Sequence, residues 1–314
     1  MTESASKLAV SVDVEDWYHV PAVSGAPFSP NESAPTFLES WEGRYDYLTE
    51  ATHRTLDLLG DFDLEATFFV VADVVENYPG LVETIADRGH EVGCHGLHHE
   101  CAIHPDTKAP RFTRKEYRER IAEAKSILES ASGQEVRGFR APNAYVGGWM
   151  LDVIEELGFE YDSSVARTSL YNKTDANLEG VGTSPYTPVE GSLVPGGDRD
   201  LLELPWPYYD LKVGKLPAGG GPAIRMLGYH LVQRGICQSL GRGNSIFYFH
   251  PIDIAREAFP NVGNMKRRPG YWLGKGETAE HRIKRLLSKF NRNRLTTCSE
   301  LYEQGAQKEE PTIQ

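Results

Sequence analysis

The 314-residue sequence predicts an α/β protein built on a parallel sheet, either rolled into a barrel or doubly wound. Three observations point there. Short β-rich runs alternate with helical stretches along the whole chain. The strands read as fully buried rather than half-solvated. Nearly every predicted strand ends in titratable residues. Hydrophobic residues make up 40% and charged residues 25%, which excludes disordered and fibrous classes for the bulk of the chain. A net charge of −12 repels phosphate backbones, so no nucleic-acid partner is expected. The one basic stretch, Arg282 to Arg294, reads as the solvated face of a helix.

The elements follow in order. Lys7 to Val14 alternates apolar and polar residues and is β-branched, a strand by period two. Tyr47 to Leu59 carries Leu48, Thr52, Leu56 and Leu59 at helical spacing, and Gly60 stops it. Ala66 to Val71 is a buried strand. Tyr78 to Arg88 is a helix opened by Pro79 and stopped by Gly89, and Glu91 to Cys94 is a short strand. Thr113 to Ser130 is the clearest helix, because Thr113 with Glu116 three residues on forms a capping box. Next come a strand at Val136 to Phe139, a helix at Gly148 to Leu157 and strands at Phe159 to Asp162 and Leu201 to Leu204. A helix at Leu227 to Leu240 precedes the strand Ser245 to Phe249. A helix at Ala279 to Phe290, a short strand at Leu295 to Thr297 and a terminal helix close the chain. The expected organisation is one domain over 1–306 with a loop insertion at about 167–198 and a disordered tail at 307–314. No run approaches the roughly 18 apolar residues of a membrane span. With no basic, apolar leader at the start, a cytoplasmic location is expected. Cys94, Cys101, Cys237 and Cys298 lack a framework spacing and are expected as free thiols.

The chemistry collects at the strand ends. Asp13, Glu15 and Asp16 close the first strand, His95 and His99 follow the third, Arg140 follows the fourth, Asp162 closes the fifth and His250 follows SIFYF. In a parallel barrel the strand C-termini converge on one face, so these groups are expected to meet. His95 and His99, at i and i+4, reach one metal ion if they share a helical turn. Two His plus one carboxylate leave positions open for water, as in hydrolytic metal sites. Cys94 and Cys101 flank the pair and raise a structural Cys/His zinc site as a rival, which the lack of a second CxxC-type pair opposes. Asp13 and Glu15 share a strand face, while Asp16 falls where the chain turns. One carboxylate to hold metal and one to act as base is the usual division. Arg140 is a natural cation to aim a carboxylate.

In order, SVDVEDW, ATFFVV, RGHEVGCHGLHHE, GFRAPN, YDSS, LELP and FYFHP resemble the polysaccharide deacetylase family (carbohydrate esterase family four) over roughly Lys7 to Ile254. LPAGGGPAIRMLGYH and FHPIDI look like the subfamily met in exopolysaccharide and exosortase-associated gene clusters. The resemblance implies a distorted (β/α) barrel of about seven parallel strands. It implies removal of an N-acetyl group from a saccharide, polysaccharide or glycolipid by one divalent ion, zinc first, with cobalt, nickel or manganese as alternatives. Carried over by motif, Asp13 is the base, Asp16, His95 and His99 are the ligands, and Arg140 orients the base. His250 is the acid and Asp162 tunes it, with the pKa of His250 expected above its ordinary value. The first motif departs from the family's adjacent aspartates, and a close branch uses an Asp-x-Asp spacing, so Glu15 is the alternative ligand. Some relatives of that branch lack metal and hydrolyse cyclic amides. A hydrolase of a non-sugar amide and a silent glycan-binding barrel are therefore the alternative functions. A backbone N–H just after Pro142 is expected to help hold the oxyanion. Trp17, Trp149, Trp206 and Tyr145 either stack on sugar or pack in the core, and Gly219 to Gly221 read as a flexible turn, not a P-loop.

Overall fold

Alternation along the first strand sets the architecture. The computed structural model describes residues 6–16, 19, 47–104, 106–168, 173–174, 176–257 and 273–306. Trp17 and the expected tail at 307–314 lie outside the described residues. The strands are β1 (Leu8–Val14), β2 (Thr67–Val70), β3 (Glu91–Cys94), β4 (Gly138–Phe139), β5 (Tyr161–Asp162), β6 (Leu202–Glu203), β7 (Tyr208–Asp210), β8 (Lys215–Pro217), β9 (Ser245–Phe249) and β10 (Leu295–Thr296). One eight-stranded sheet is parallel throughout, running β9-β1-β2-β3-β4-β5-β6, with the short β10 beside the start of β1. It curls into an open barrel. Among the described residues β6 and β9 do not pair; a single parallel bridge from Gly220 to Tyr248 and the Trp206–Tyr248 ring contact at 4.3 Å span that side.

Because side chains alternate across a strand, the sheet has two apolar layers. Leu8, Val10, Val12, Val14, Phe68, Val70, Phe247 and Phe249 face the helices in the large outer core. Ala9, Phe69, Tyr161, Leu204 and Ile246 fill the barrel's inside. The interior is tight: a Cβ on Gly138 would sit 2.1 Å from the Tyr161 ring, so only glycine lets that ring cross the barrel. Ser11 and Asp13 share the inward face of β1, which is why a buried strand carries a carboxylate at its end.

The helices are α1 (Tyr47–Gly60), α2 (Val74–Asn77), α3 (Leu81–Asp87), α4 (Arg114–Ser132), α5 (Gly148–Glu156), α6 (Gly221–Leu227), α7 (Tyr229–Leu240), α8 (Pro251–Ile254), α9 (Glu277–Leu287) and α10 (Cys298–Ala306). The capping box expected at Thr113 and Glu116 opens α4, and Gly133 at φ 67° closes it. Two expectations fail locally. The helix expected from Tyr78 starts at Leu81 instead, because Gly80 takes a left-handed conformation at φ 86°. The helix expected from Leu227 starts at Tyr229 as α7, and an unforeseen helix, α6, ends at Leu227, the two parted at Gly228 (φ 80°). The antiparallel hairpin β7–β8 was not foreseen, since its strands are three residues each. Cys94, Cys101 and Cys298 are buried free thiols and Cys237 is an exposed one. Among the described residues no helix is long and apolar enough to cross a membrane.

Candidate metal and acid–base site

Each group sits at the C-terminal end of a strand. Asp13 ends the inward face of β1, and Glu15 follows two residues on, on the same side. His95 follows β3, Arg140 follows β4 and His250 follows β9, so all five line one cleft of about 260 Å³. All five are buried.

Glu15, His95 and His99 offer ligand atoms that all lie within 4.8 Å of one another. His95 points Nδ1 at the Arg140 carbonyl (2.8 Å) and His99 points Nδ1 at the His19 carbonyl (3.1 Å). Both rings thereby present Nε2 to the centre, the orientation that second-sphere carbonyls impose on metal-bound imidazoles. His99 Nε2 comes within 2.6 Å of Glu15 Oε2 and has no well-aligned hydrogen bond there. Two neutral nitrogens and one carboxylate are a donor set that fits a divalent ion. Burial pushes the Glu15 carboxyl up, but the His99, His250 and His95 rings around it win and hold it well below the usual carboxylate range. Burial pushes His95 down to about 4 against the opposing pull of Asp13, so it is neutral at ordinary pH, as a ligand must be.

This corrects the ligand expectation at Asp16. Its carboxylate turns away to the Tyr78 hydroxyl, while its backbone N–H donates to His19 Nδ1 (2.9 Å). Period two explains the outcome: Asp13 and Glu15 face the barrel axis, and Asp16 lies on the opposite side. The helical-turn reading of His95 and His99 is also corrected. The pair sits in a loop bent at Gly96 (φ 84°) and His99 (φ 62°), and this loop brings the rings to 4.8 Å between centroids. The rival Cys/His site does not form. Cys94 lies in the apolar core with its thiol pushed up to about 12 by burial, and Cys101 contacts the Pro142 carbonyl instead.

Arg140 is fully buried and fixes the Asp13 carboxylate. Its Nη1 donates to Asp13 Oδ1 (2.5 Å) and Ser11 Oγ (3.0 Å), its Nε to the Ser163 carbonyl (3.0 Å) and its Nη2 to Ser163 Oγ (2.9 Å). The guanidinium also stacks over Phe69 at 4.2 Å, which locks its plane.

His250 Nε2 stands 3.5 Å from Glu15 Oε1 and 3.9 Å from Asp13 Oδ2. Its Nδ1 pairs with Asp253 Oδ2 at 3.0 Å, and Asp253 pairs with Arg225 at 2.6 Å. Burial pushes His250 down, but Asp253, then Glu15 and Asp13, outweigh it and lift the imidazole to about 9. The expected rise is therefore present, but from a different carboxylate. Asp162 does not reach His250. Tyr161 points into the barrel, so Asp162 points outward, where it accepts from Ser164 N (3.0 Å) and Ser164 Oγ (2.7 Å). It lies opposite Glu203 on β6. Burial raises both carboxyls; the Asp162 charge pushes Glu203 higher still, whereas a hydrogen bond from Glu203 draws Asp162 down, so the proton of the pair sits on Glu203. Ser164 Oγ also accepts from Ala141 N (2.7 Å), so the Asp162 side steadies the Arg140 loop from behind.

Asp253, Arg225 and Glu203 were missed in the sequence. The signal for Asp253 was present, because HPID has capping-box spacing, and the box closes at 2.9 Å from His250 N to Asp253 Oδ2. Gly221 is the counterpart: a Cβ there would lie 1.9 Å from Asp253 Oδ2. The glycine run is thus a close-packed helix start rather than the flexible turn expected. Asn143 (φ 54°) and Ala144 (φ 58°) hold left-handed conformations in the loop after Pro142, and both line the cleft. Trp206 lines the cleft, whereas Trp149 packs on Tyr117 and Tyr145 is buried in the core.

Residues 35–161 match the family described as Polysaccharide deacetylase, and residues 173–300 match one described as Domain of unknown function (DUF3473). A peptidoglycan deacetylase of Helicobacter pylori is 27% identical over 172 residues, covering 50% of this chain and 52% of that protein. A chitooligosaccharide deacetylase of Sinorhizobium fredii is 32% identical over 104 residues, covering 33% of this chain and 44% of that protein. The chain therefore spans about half the length of the curated relatives it matches. A solved Mycobacterium smegmatis structure assigned to the polysaccharide deacetylases superposes with a TM-score of 0.61 at 19% identity, covering 99% and 94% of the two chains. A solved allantoinase superposes with a TM-score of 0.58 at 15% identity, covering 97% and 91%. These two likenesses concern the fold, the same open parallel barrel. Residues 35–161 thus carry the sequence match to the polysaccharide deacetylase family, and the fold is the open parallel barrel of those two solved structures.

Proposed function

We propose that this protein hydrolyses the N-acetyl group of an N-acetylated sugar, releasing acetate and a free amine. The observation that carries this reading is the placing of Asp13 and His250 beside the Glu15–His95–His99 cluster, within one cleft. Glu15, His95 and His99 would hold a divalent ion, zinc in our reading, which would supply Lewis acidity toward the acetamide carbonyl and water.

The chain's own residues do the rest. Asp13 Oδ2 takes the proton of the attacking water, and Arg140 on Oδ1 keeps that carboxylate fixed in position. The backbone N–H of Asn143, on the strained loop after Pro142, donates to the oxygen that gains charge. His250, protonated because Asp253 holds its Nδ1, gives the Nε2 proton to the departing nitrogen. Without that proton an amide nitrogen is a very poor leaving group. The C–N bond then breaks, with oxygen from water on acetate and hydrogen on the amine. Trp206, at the cleft, offers an apolar face for a sugar ring.

The test is acetate release from a panel of N-acetylglucosamine derivatives and oligomers, before and after chelation. Release that stops on chelation and returns with added divalent ion is expected. No acetate from any panel member, with metal bound, overturns the reading.

A further inference from the structure

One short stretch lines much of the cleft without offering a single side-chain hydrogen bond: Leu216, Pro217, Pro222, Ala223, Met226 and Leu227. All six belong to the segment that matches the domain of unknown function, whereas the acid–base and ligand groups other than His250 come from earlier in the chain. A sugar ring carries hydroxyls around its rim, and burying them against such a lining leaves them unpaired. This part of the cleft is therefore not built for a second sugar.

The apolar lining continues outward. Met226 is 49% exposed. The hairpin that brings Leu216 and Pro217 to the cleft ends in a turn carrying Leu211, 39% exposed, and Val213, 96% exposed. Leu273, 67% exposed, adjoins Gly274, which packs on the Arg225 backbone next to Met226. Among the described residues, four of the five large exposed hydrophobics lie on this flank. Scattered singly they would need no explanation, but grouped at the mouth of a catalytic cleft they mark a binding surface.

We propose that this flank receives the hydrocarbon chain of an amphiphilic substrate, an N-acetylated sugar carried on a lipid. The proposal rests on the deacetylase reading above. The argument for a chain on the substrate, rather than for a protein partner, is continuity: Met226 both lines the reacting cleft and reaches the rim, and Leu211 and Val213 sit on the hairpin that carries Leu216 and Pro217 into the cleft. Anything attached to the sugar and leaving by that side runs along them.

The test is calorimetric binding of alkyl N-acetylglucosaminides with methyl, octyl and dodecyl aglycones. It uses the full-length zinc-loaded protein below the micelle threshold. If half the methylenes are buried, affinity rises about 100-fold from methyl to octyl. Leu216→Ser and Met226→Ser are expected to flatten that dependence; Met226 is half-exposed, so its replacement spares the fold. Affinity that does not strengthen with chain length overturns the proposal, as does a dependence that survives the double substitution. Acetate release is followed on the same glycosides. A chain-length dependence without any acetate leaves the apolar flank standing and removes the deacetylase reading. Acetate release with flat affinities does the reverse.

Discussion

The two ends of the barrel each hold a glutamate, one buried and one half-buried, and the two behave in opposite ways. At the N-terminal end of β3, Glu91 is held only by neutral donors: Tyr161 Oη (2.5 Å), Thr67 Oγ1 (2.5 Å) and Ser299 N (3.3 Å). Burial dominates there and raises its pKa, despite those hydrogen bonds. At the other end, burial works the same way on Glu15, yet three imidazoles overturn it and hold the carboxyl far below its ordinary range. Desolvation pushes both carboxyls up, so the neighbours decide. One end of the barrel is a plug built of neutral donors around a carboxyl, and the other gathers a carboxylate among imidazoles.

The most direct way to break that contrast is to remove the imidazoles. A His95→Ala, His99→Ala double variant is expected to fall from one bound divalent ion per chain to none and to lose acetate release; unchanged stoichiometry by elemental analysis would place the ion elsewhere. Glu15→Gln should also lose the ion, whereas Asp16→Asn should keep it, since Asp16 faces Tyr78. The reverse result would restore Asp16 as the ligand.

Asp13→Asn tests the base. Metal content should be retained while turnover drops about 10²–10⁴-fold, and a drop confined to KM would argue for substrate binding instead. A smaller effect separates the acid from its support. His250 donates only while protonated and is lifted to about 9, so turnover should fall as pH rises through that region. Asp253→Asn removes the largest lifting charge and should move that alkaline limb to lower pH, while Asp162→Asn should leave it in place.

The smallest effect lies at the plugged end. A carboxyl whose pKa is raised by folding binds its proton more tightly in the native state. It therefore costs stability as pH rises through the raised value. Glu91→Gln should lift Tm above neutral pH by on the order of 2 °C, with little change in acid and none in acetate release. A large loss of stability at alkaline pH would mean that Glu91 works as a carboxylate.

Much of this was legible in the sequence, and the failures have physical causes. Parallel strands buried on both faces announce themselves as apolar runs, so β2 and β9 stood out, while β1 showed through its period-two alternation. The convergence of Asp13, His95, Arg140 and His250 follows from strand direction alone. Glu15 over Asp16 required only period two, carried one step past the strand's end. Asp162 was assigned to His250 through a family motif, while the nearer partner, Asp253, sat three residues along the same turn. Gly228 and the β7–β8 hairpin were hidden because three-residue strands and a glycine between two apolar runs carry almost no periodic signal. The chemistry of 216–227 was invisible for another reason: apolar residues read alike whether they line a cleft or fill a core.

β1 lies between strands on both edges, with β9 along one side and β10 and β2 sharing the other. Its amides are therefore protected from solvent exchange unless the sheet as a whole opens. Asp13 is rooted in that strand, but His95 and His99 hang from a loop beyond β3. Warming or mild denaturant should thus reach the loop first. An ion would leave a molecule whose base and guanidinium were still in register, and would find them waiting when it returned.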